Sequence, residues 1–132
     1  MTRFLLSLFA LASLTTLAYA DKNTVLLHPG DTVYARFDLK GTKIKMIHAG
    51  PEKDDAAQVI LSWNKVAKDG YRTLKVENKF NDDLVYKVEM RSLSQNHQMR
   101  VPSTPVVAGK VGFDNYPPLV EELALFDFKL EP

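Results

Sequence analysis

The side chains with the most distinctive chemistry in this sequence are its histidines and methionines, because no cysteine competes with them for a soft metal. Met46 and His48 stand two apart, as do His97 and Met99, and Met90 lies seven residues before His97. In an extended strand, residues i and i+2 share a face. Each pair would then present a thioether and an imidazole together, a donor set suited to Cu(I). Met46, His48, Met90, His97 and Met99 therefore make up a candidate copper site. A packing reading competes with it: Met46 and Met90 fall on the apolar sides of alternating runs, where methionine fills gaps in a core, and His97 falls in a polar stretch.

Other chemistries find little support. There is no Gly-x-Ser-x-Gly elbow and no His-Glu-x-x-His pair, so nucleophilic hydrolysis and zinc proteolysis lack their local signatures. The six glycines are scattered singly among turns and form no phosphate-binding loop. The acid pairs Asp54-Asp55, Asp82-Asp83 and Glu121-Glu122 are sequence neighbours. In a strand such neighbours point to opposite faces and do not converge as glycosidase carboxylates do. Asn81-Asp82-Asp83 offers oxygen ligands for calcium, but a tight turn demands the same residues. The expectation is a non-catalytic protein with no resident cofactor.

A different kind of site is suggested by Val111-Gly112-Phe113-Asp114-Asn115-Tyr116-Pro117-Pro118-Leu119, where aromatic residues and two prolines meet in an expected loop. Prolines that preset the backbone and large flat side chains lower the ordering cost of a contact surface. Phe113, Asp114, Tyr116 and Pro117 are therefore candidate binding residues for an unidentified protein or envelope component. The competing reading has Phe113 and Tyr116 folded back as a lid on the core.

The elements that must position these residues follow period two. Val33, Ala35, Phe37 and Leu39 alternate with Tyr34, Arg36 and Asp38, which reads as a half-buried strand. Thr24–His28 forms a short apolar run before it. After it, Lys43–Ala49 places Ile44, Met46 and His48 on one face, and Gln58–Val66 places Val59, Leu61 and Trp63 inward. Tyr71–Asn78 and Leu84–Arg91 alternate on either side of Lys79–Asp83, which is read as a hairpin turn. Across residues 92–119 only Pro105–Ala108 is short and apolar enough for a strand. In Glu121–Leu130, strict alternation puts Leu123 and Leu125 on one face and Ala124, Phe126, Phe128 and Leu130 on the other. Lysines and arginines at 36, 43, 45, 75, 87 and 91 fall opposite apolar residues, as on the wet face of a sheet.

Met1-Thr2-Arg3, the apolar run Phe4–Leu14 and Ala18-Tyr19-Ala20 have the form of a secretory signal peptide cleaved before Asp21. The run is broken by Ser13, Thr15 and Thr16 and is short for a membrane anchor. Residues 21–132 are thus expected as one domain, secreted to the periplasm or beyond. The chain has 17 Lys and Arg against 16 Asp and Glu. Removing Arg3 balances them, so the global positive surplus that nucleic-acid binding draws on is missing.

Seven or eight short strands with turn signals between them and no convincing helix argue an all-β, antiparallel two-sheet sandwich around Trp63. The run Val76-Glu77-Asn78 followed by Leu84-Val85-Tyr86-Lys87-Val88 resembles secreted immunoglobulin-like sandwich domains, in which a strand ends at Asn and the next opens Leu-x-Tyr-x-Val. The resemblance covers about fifteen residues, implies fold and no activity, and lacks the paired cysteines of antibody-type domains. The His97-x-Met99 pair is likewise similar to the ligands of small periplasmic copper chaperones on cupredoxin-like sandwiches. The spacing from Met90 departs from that pattern.

Overall fold

The computed structural model describes residues 23–65, 70–92 and 94–132. The signal-peptide reading of residues 1–20 lies outside the described residues. Among those described there are nine strands and no helix: β1 (Val25–Leu27), β2 (Thr32–Lys40), β3 (Lys43–Gly50), β4 (Val59–Trp63), β5 (Arg72–Asn78), β6 (Asp83–Ser92), β7 (His97–Val101), β8 (Val111–Tyr116) and β9 (Glu122–Glu131). They form two antiparallel sheets, one ordered β1-β9-β6-β7 and the other β3-β2-β4-β5-β8.

The inward faces of the two sheets share one core. Val25, Leu27, Leu84, Val88, Leu123 and Leu125 come from the four-stranded sheet, and Val33, Ala35, Val59, Leu61, Trp63, Leu74 and Val76 from the five-stranded one. Trp63 is fully buried, in agreement with its expected place. The Phe37 and Phe128 rings meet edge to face across the layers, with centroids 5.4 Å apart, a favoured aromatic arrangement. Burying a side chain of this size contributes roughly 1.5–3 kcal/mol.

Two irregularities change which residues face inward. In β9, Phe126 pairs with Lys87 and Lys129 with Val85, so Asp127 and Phe128 together oppose Tyr86. This is a β-bulge, and Asp127 takes the left-handed backbone, φ 52°, that such an extra residue can require. The phase of the strand reverses there. Leu123, Leu125, Phe128 and Leu130 all reach the core, which corrects the strict alternation expected for this segment. In β3, Arg36 pairs with His48 but Phe37 with Met46, leaving Ile47 as the extra residue. Met46 therefore points into the core while His48 is exposed with Arg36 on the outer face. The expected common face of Met46 and His48 does not form.

The segment Lys79–Asp82 is not a hairpin turn, because β5 and β6 belong to different sheets. It is a corner that carries the chain across the core, plugged by buried Phe80 and organised by Asn78, which is only 2% exposed. Asn78 Nδ2 donates to the carbonyls of Asp82 (2.9 Å) and Val106 (3.0 Å). Its Oδ1 accepts from the Phe80 amide at 2.9 Å. Leu74 and Val76 share one core with Leu84 and Val88 as opposing layers, not as neighbours in one sheet.

The stretch 92–119 also differs from expectation. It holds two strands, β7 and β8, whereas Pro105–Ala108 contributes a single bridge, Val106 to Leu84. Alternating polar residues in His97–Val101 and glycine in Val111–Tyr116 hide the strands, which are held by pairing to β6 and β5.

Candidate functional site

β7 is the last strand of the four-stranded sheet and β8 the last of the five-stranded sheet, and among the described residues each is paired on one side only. Between them opens a cleft of about 310 Å³ lined by Met90, Val101, Pro102, Asp114, Asn115, Tyr116 and Pro117. Three of the four residues expected to bind, Asp114, Tyr116 and Pro117, thus line one cleft, and Met90 from the expected metal set joins them.

The four do not act as a loop. Phe113, Asp114 and Tyr116 belong to β8, and Pro117 follows it. Alternation along β8 turns Asp114 and Tyr116 inward and leaves Phe113 on the outer face, 65% exposed and opposite Lys75. The lid reading therefore holds for buried Tyr116 and not for Phe113. Gly112 is required by close approach: a Cβ built there would lie 2.9 Å from Val106 Cγ2.

At the cleft's inner end Asp114 gathers polar partners. Thr104 Oγ1 donates to Oδ1 at 3.2 Å, and the Tyr86 hydroxyl lies 3.5 Å from Oδ2. Burial, and secondarily the Asp114 charge, pushes the Tyr86 and Tyr116 hydroxyls well above the ordinary phenol range. Both phenols stay protonated at neutral pH, and that of Tyr86 donates to Asp114, which is itself an inward-pointing acid on an edge strand, a feature that discourages uncontrolled edge pairing. Ser103 Oγ donates to the Tyr86 carbonyl and ties the segment after β7 back to β6.

The expected copper ligands divide between the sheets. Met46 is buried on β3, where its amide donates to Asn23 Oδ1 at 2.8 Å, and His48 is exposed on the same strand. β3 lies at the far edge of the five-stranded sheet from β8. Met90, His97 and Met99 instead sit on the β6–β7 hairpin, with Met90 directly opposite Met99 and Ser92 opposite His97. The structure does not bring the five together. It brings three onto one sheet face.

Two further features were not legible in the sequence. A second cleft, of about 450 Å³, opens on the opposite side of the molecule between β9 and the β2–β3 turn, lined by Asn23, Ile44 and Asp127–Leu130 among others. On the outer face of the four-stranded sheet, Glu122 takes Arg91 Nη1 at 2.8 Å, and His28 Nε2 lies 2.8 Å from its other oxygen. These contacts tie the end of β1 to β9 and β6, and among the described residues no three His, Asp or Glu side chains converge as a metal cage. Nothing in the local sequence pairs His28 with residues so distant.

The chain matches no protein-family profile, no curated protein and no solved structure with which it was compared.

Proposed function

We propose that the chain is a non-catalytic, secreted binding module with an immunoglobulin-like sandwich, and that its recognition surface is the cleft between β7 and β8. The observation that carries this reading is the convergence of two single-sided edge strands on a cleft with an apolar wall of Met90, Val101, Tyr116 and Pro117. An edge strand offers unpaired backbone donors and acceptors, and a neighbouring apolar groove selects side chains of an extended partner segment. Exposed Phe113 and Met99 extend the contact surface on either side. The immunoglobulin-like description is supported by antiparallel sheets that exchange strands across one core and by the buried Trp63.

The partner is a protein or envelope component met after export. The test places a photo-crosslinking residue at position 113, at 99, or at Lys129 on the far side, in the full-length chain expressed in a bacterium with a periplasm. The expected result is a discrete adduct from 113 and 99 that is lost in a Val101→Asp variant. Adducts of equal yield from all three positions would defeat the reading, and an amino terminus other than Asp21 on the exported product would defeat its secretory part.

A further inference from the structure

Register decides which of the sulfur and imidazole side chains can act together. In the β6–β7 hairpin the inward face of β6 runs Leu84, Tyr86, Val88 and Met90, and the paired residues of β7 are Val101 opposite Val88, Met99 opposite Met90 and His97 opposite Ser92. Directly opposed residues in an antiparallel pair carry Cβ atoms about 4.5–5.5 Å apart. His97 and Met99, two apart on one strand, share that face at a spacing of roughly 7 Å. Two long thioethers and one imidazole therefore project from a single patch of one hairpin.

The patch is also accessible. Val88 is sealed by the opposite sheet and Met90 is half-buried against the core, but Met99 is 50% exposed and His97 is exposed. A methionine that merely fills a core gap is covered, as Met46 is at 7%. The other two histidines are placed elsewhere: His28 lies against Glu122 and Asp31, and His48 stands beside Arg36 on β3. Hard and borderline ions would need oxygen or multiple imidazole donors, and no three His, Asp or Glu side chains converge among the described residues. Thioether and imidazole donors favour Cu(I) instead.

We propose that Met90, Met99 and His97 form a three-ligand Cu(I) site on the open face of the β6–β7 hairpin, and that Met46 and His48 take no part in it. The site shares Met90 and Met99 with the proposed recognition surface but is argued from strand register and donor chemistry, so the Cu(I) titration and the crosslinking experiment can fail separately. No redox step is involved: Cu(I) exchanges solvent or buffer ligands for two sulfurs and a neutral ring nitrogen.

The test is an anaerobic Cu(I) titration of the protein purified after export of the full-length chain, in competition with bicinchoninate and followed by NMR. One ion per chain is expected. The Met90 and Met99 methyl signals and the His97 ring signals should shift together while Met46 and His48 stay still. Met90→Leu, Met99→Leu and His97→Gln should each weaken binding by about 100-fold or more, since loss of even an outer-shell partner typically costs about 10- to 100-fold. Met46→Leu and His48→Gln should leave it unchanged. Thermal melts report whether each variant is folded, and the titration of the unaltered protein decides the matter even if one is not. Absence of competition with bicinchoninate, or weakening by the Met46 or His48 variants, overturns the proposal.

Discussion

Asn78 holds the corner between the two sheets, and removing its amide should cost far more than an ordinary polar substitution. Asn78→Ala leaves the buried Phe80 amide without its 2.9 Å acceptor and the Asp82 carbonyl without its 2.9 Å donor. The Val106 carbonyl is less affected, because the Leu84 amide also donates to it at 2.9 Å. Two groups left unpaired at about 1–3 kcal/mol each give a loss of about 3 kcal/mol, nearer the low end because Asp82 is partly exposed. At roughly 4 °C per kcal/mol for a domain of this size, the melting temperature should fall by about 12 °C. Asn78→Asp sharpens the argument. Its second carboxylate oxygen would face the carbonyls of Asp82 and Val106, so the folded state should raise this carboxyl above its unfolded value of about 3.9. For a raised folded pKa, the destabilisation is complete above that pKa and recedes as the pH falls toward the unfolded value. Urea denaturation of the parent and both variants at pH 7 and near pH 4 measures this. An alanine variant within about 3 °C of the parent, or an aspartate variant that gains nothing over alanine on acidification, would refute the reasoning.

Three other outcomes follow from the packing. Gly112→Ala should lose about 1–3 kcal/mol by driving a methyl against Val106, and a double-mutant cycle with Val106→Ala should show the two changes to be coupled. Deleting Asp127 should remove the bulge and leave β9 in regular alternation, with Phe128 following outward Phe126 and staying in the core together with Leu130. The deletion should therefore cost far less than expelling those two side chains would, at roughly 1.5–3 kcal/mol each, as thermal melts by circular dichroism report. A deletion that unfolds the protein would contradict Asp127 as the extra residue in the phase of β9. Asp54 should titrate below the ordinary carboxylate range, chiefly because Arg36 Nε donates to it at 2.6 Å. Its contribution to stability is present above the unfolded pKa and is lost as acidification passes the lowered one. Carboxyl NMR of the parent and of Arg36→Gln checks this, with the variant expected near the ordinary value.

Much of the fold was legible because most strands keep strict alternation. Val33, Ala35 and Phe37, then Val59, Leu61 and Trp63, are spaced as a half-buried sheet requires and are buried as expected. The failures have local causes. A bulge changes the phase of a strand without a strong mark in composition, so Phe128 and Leu130 were assigned to the wrong face and Met46 and His48 to a common one. Asp127 and Ile47 are the residues responsible, and only Asp127, with its tolerance of the left-handed region, carries even a weak signal. The corner after Asn78 has the composition of a hairpin turn because the same Asn and Asp residues serve both. β7 escaped notice because edge strands need not alternate: all its residues but Val101 are exposed. The candidate cleft was half visible, since β8 supplied Asp114 and Tyr116, but its opposite wall comes from a strand that periodicity could not reveal.

The four-stranded sheet is closed by its own chronology. Val25 lies opposite Leu125, and β9, the last of the nine strands, inserts between β1 and β6. Until that segment is available, β1 has no neighbour in its sheet and the core lacks Leu123, Leu125, Phe128 and Leu130. Such high contact order makes folding slow, in the range of milliseconds to seconds for sandwiches of this kind. A nascent chain built this way has no route to its finished core before its final strand emerges. Such a delay would keep the polypeptide threadable, as the export proposed above requires.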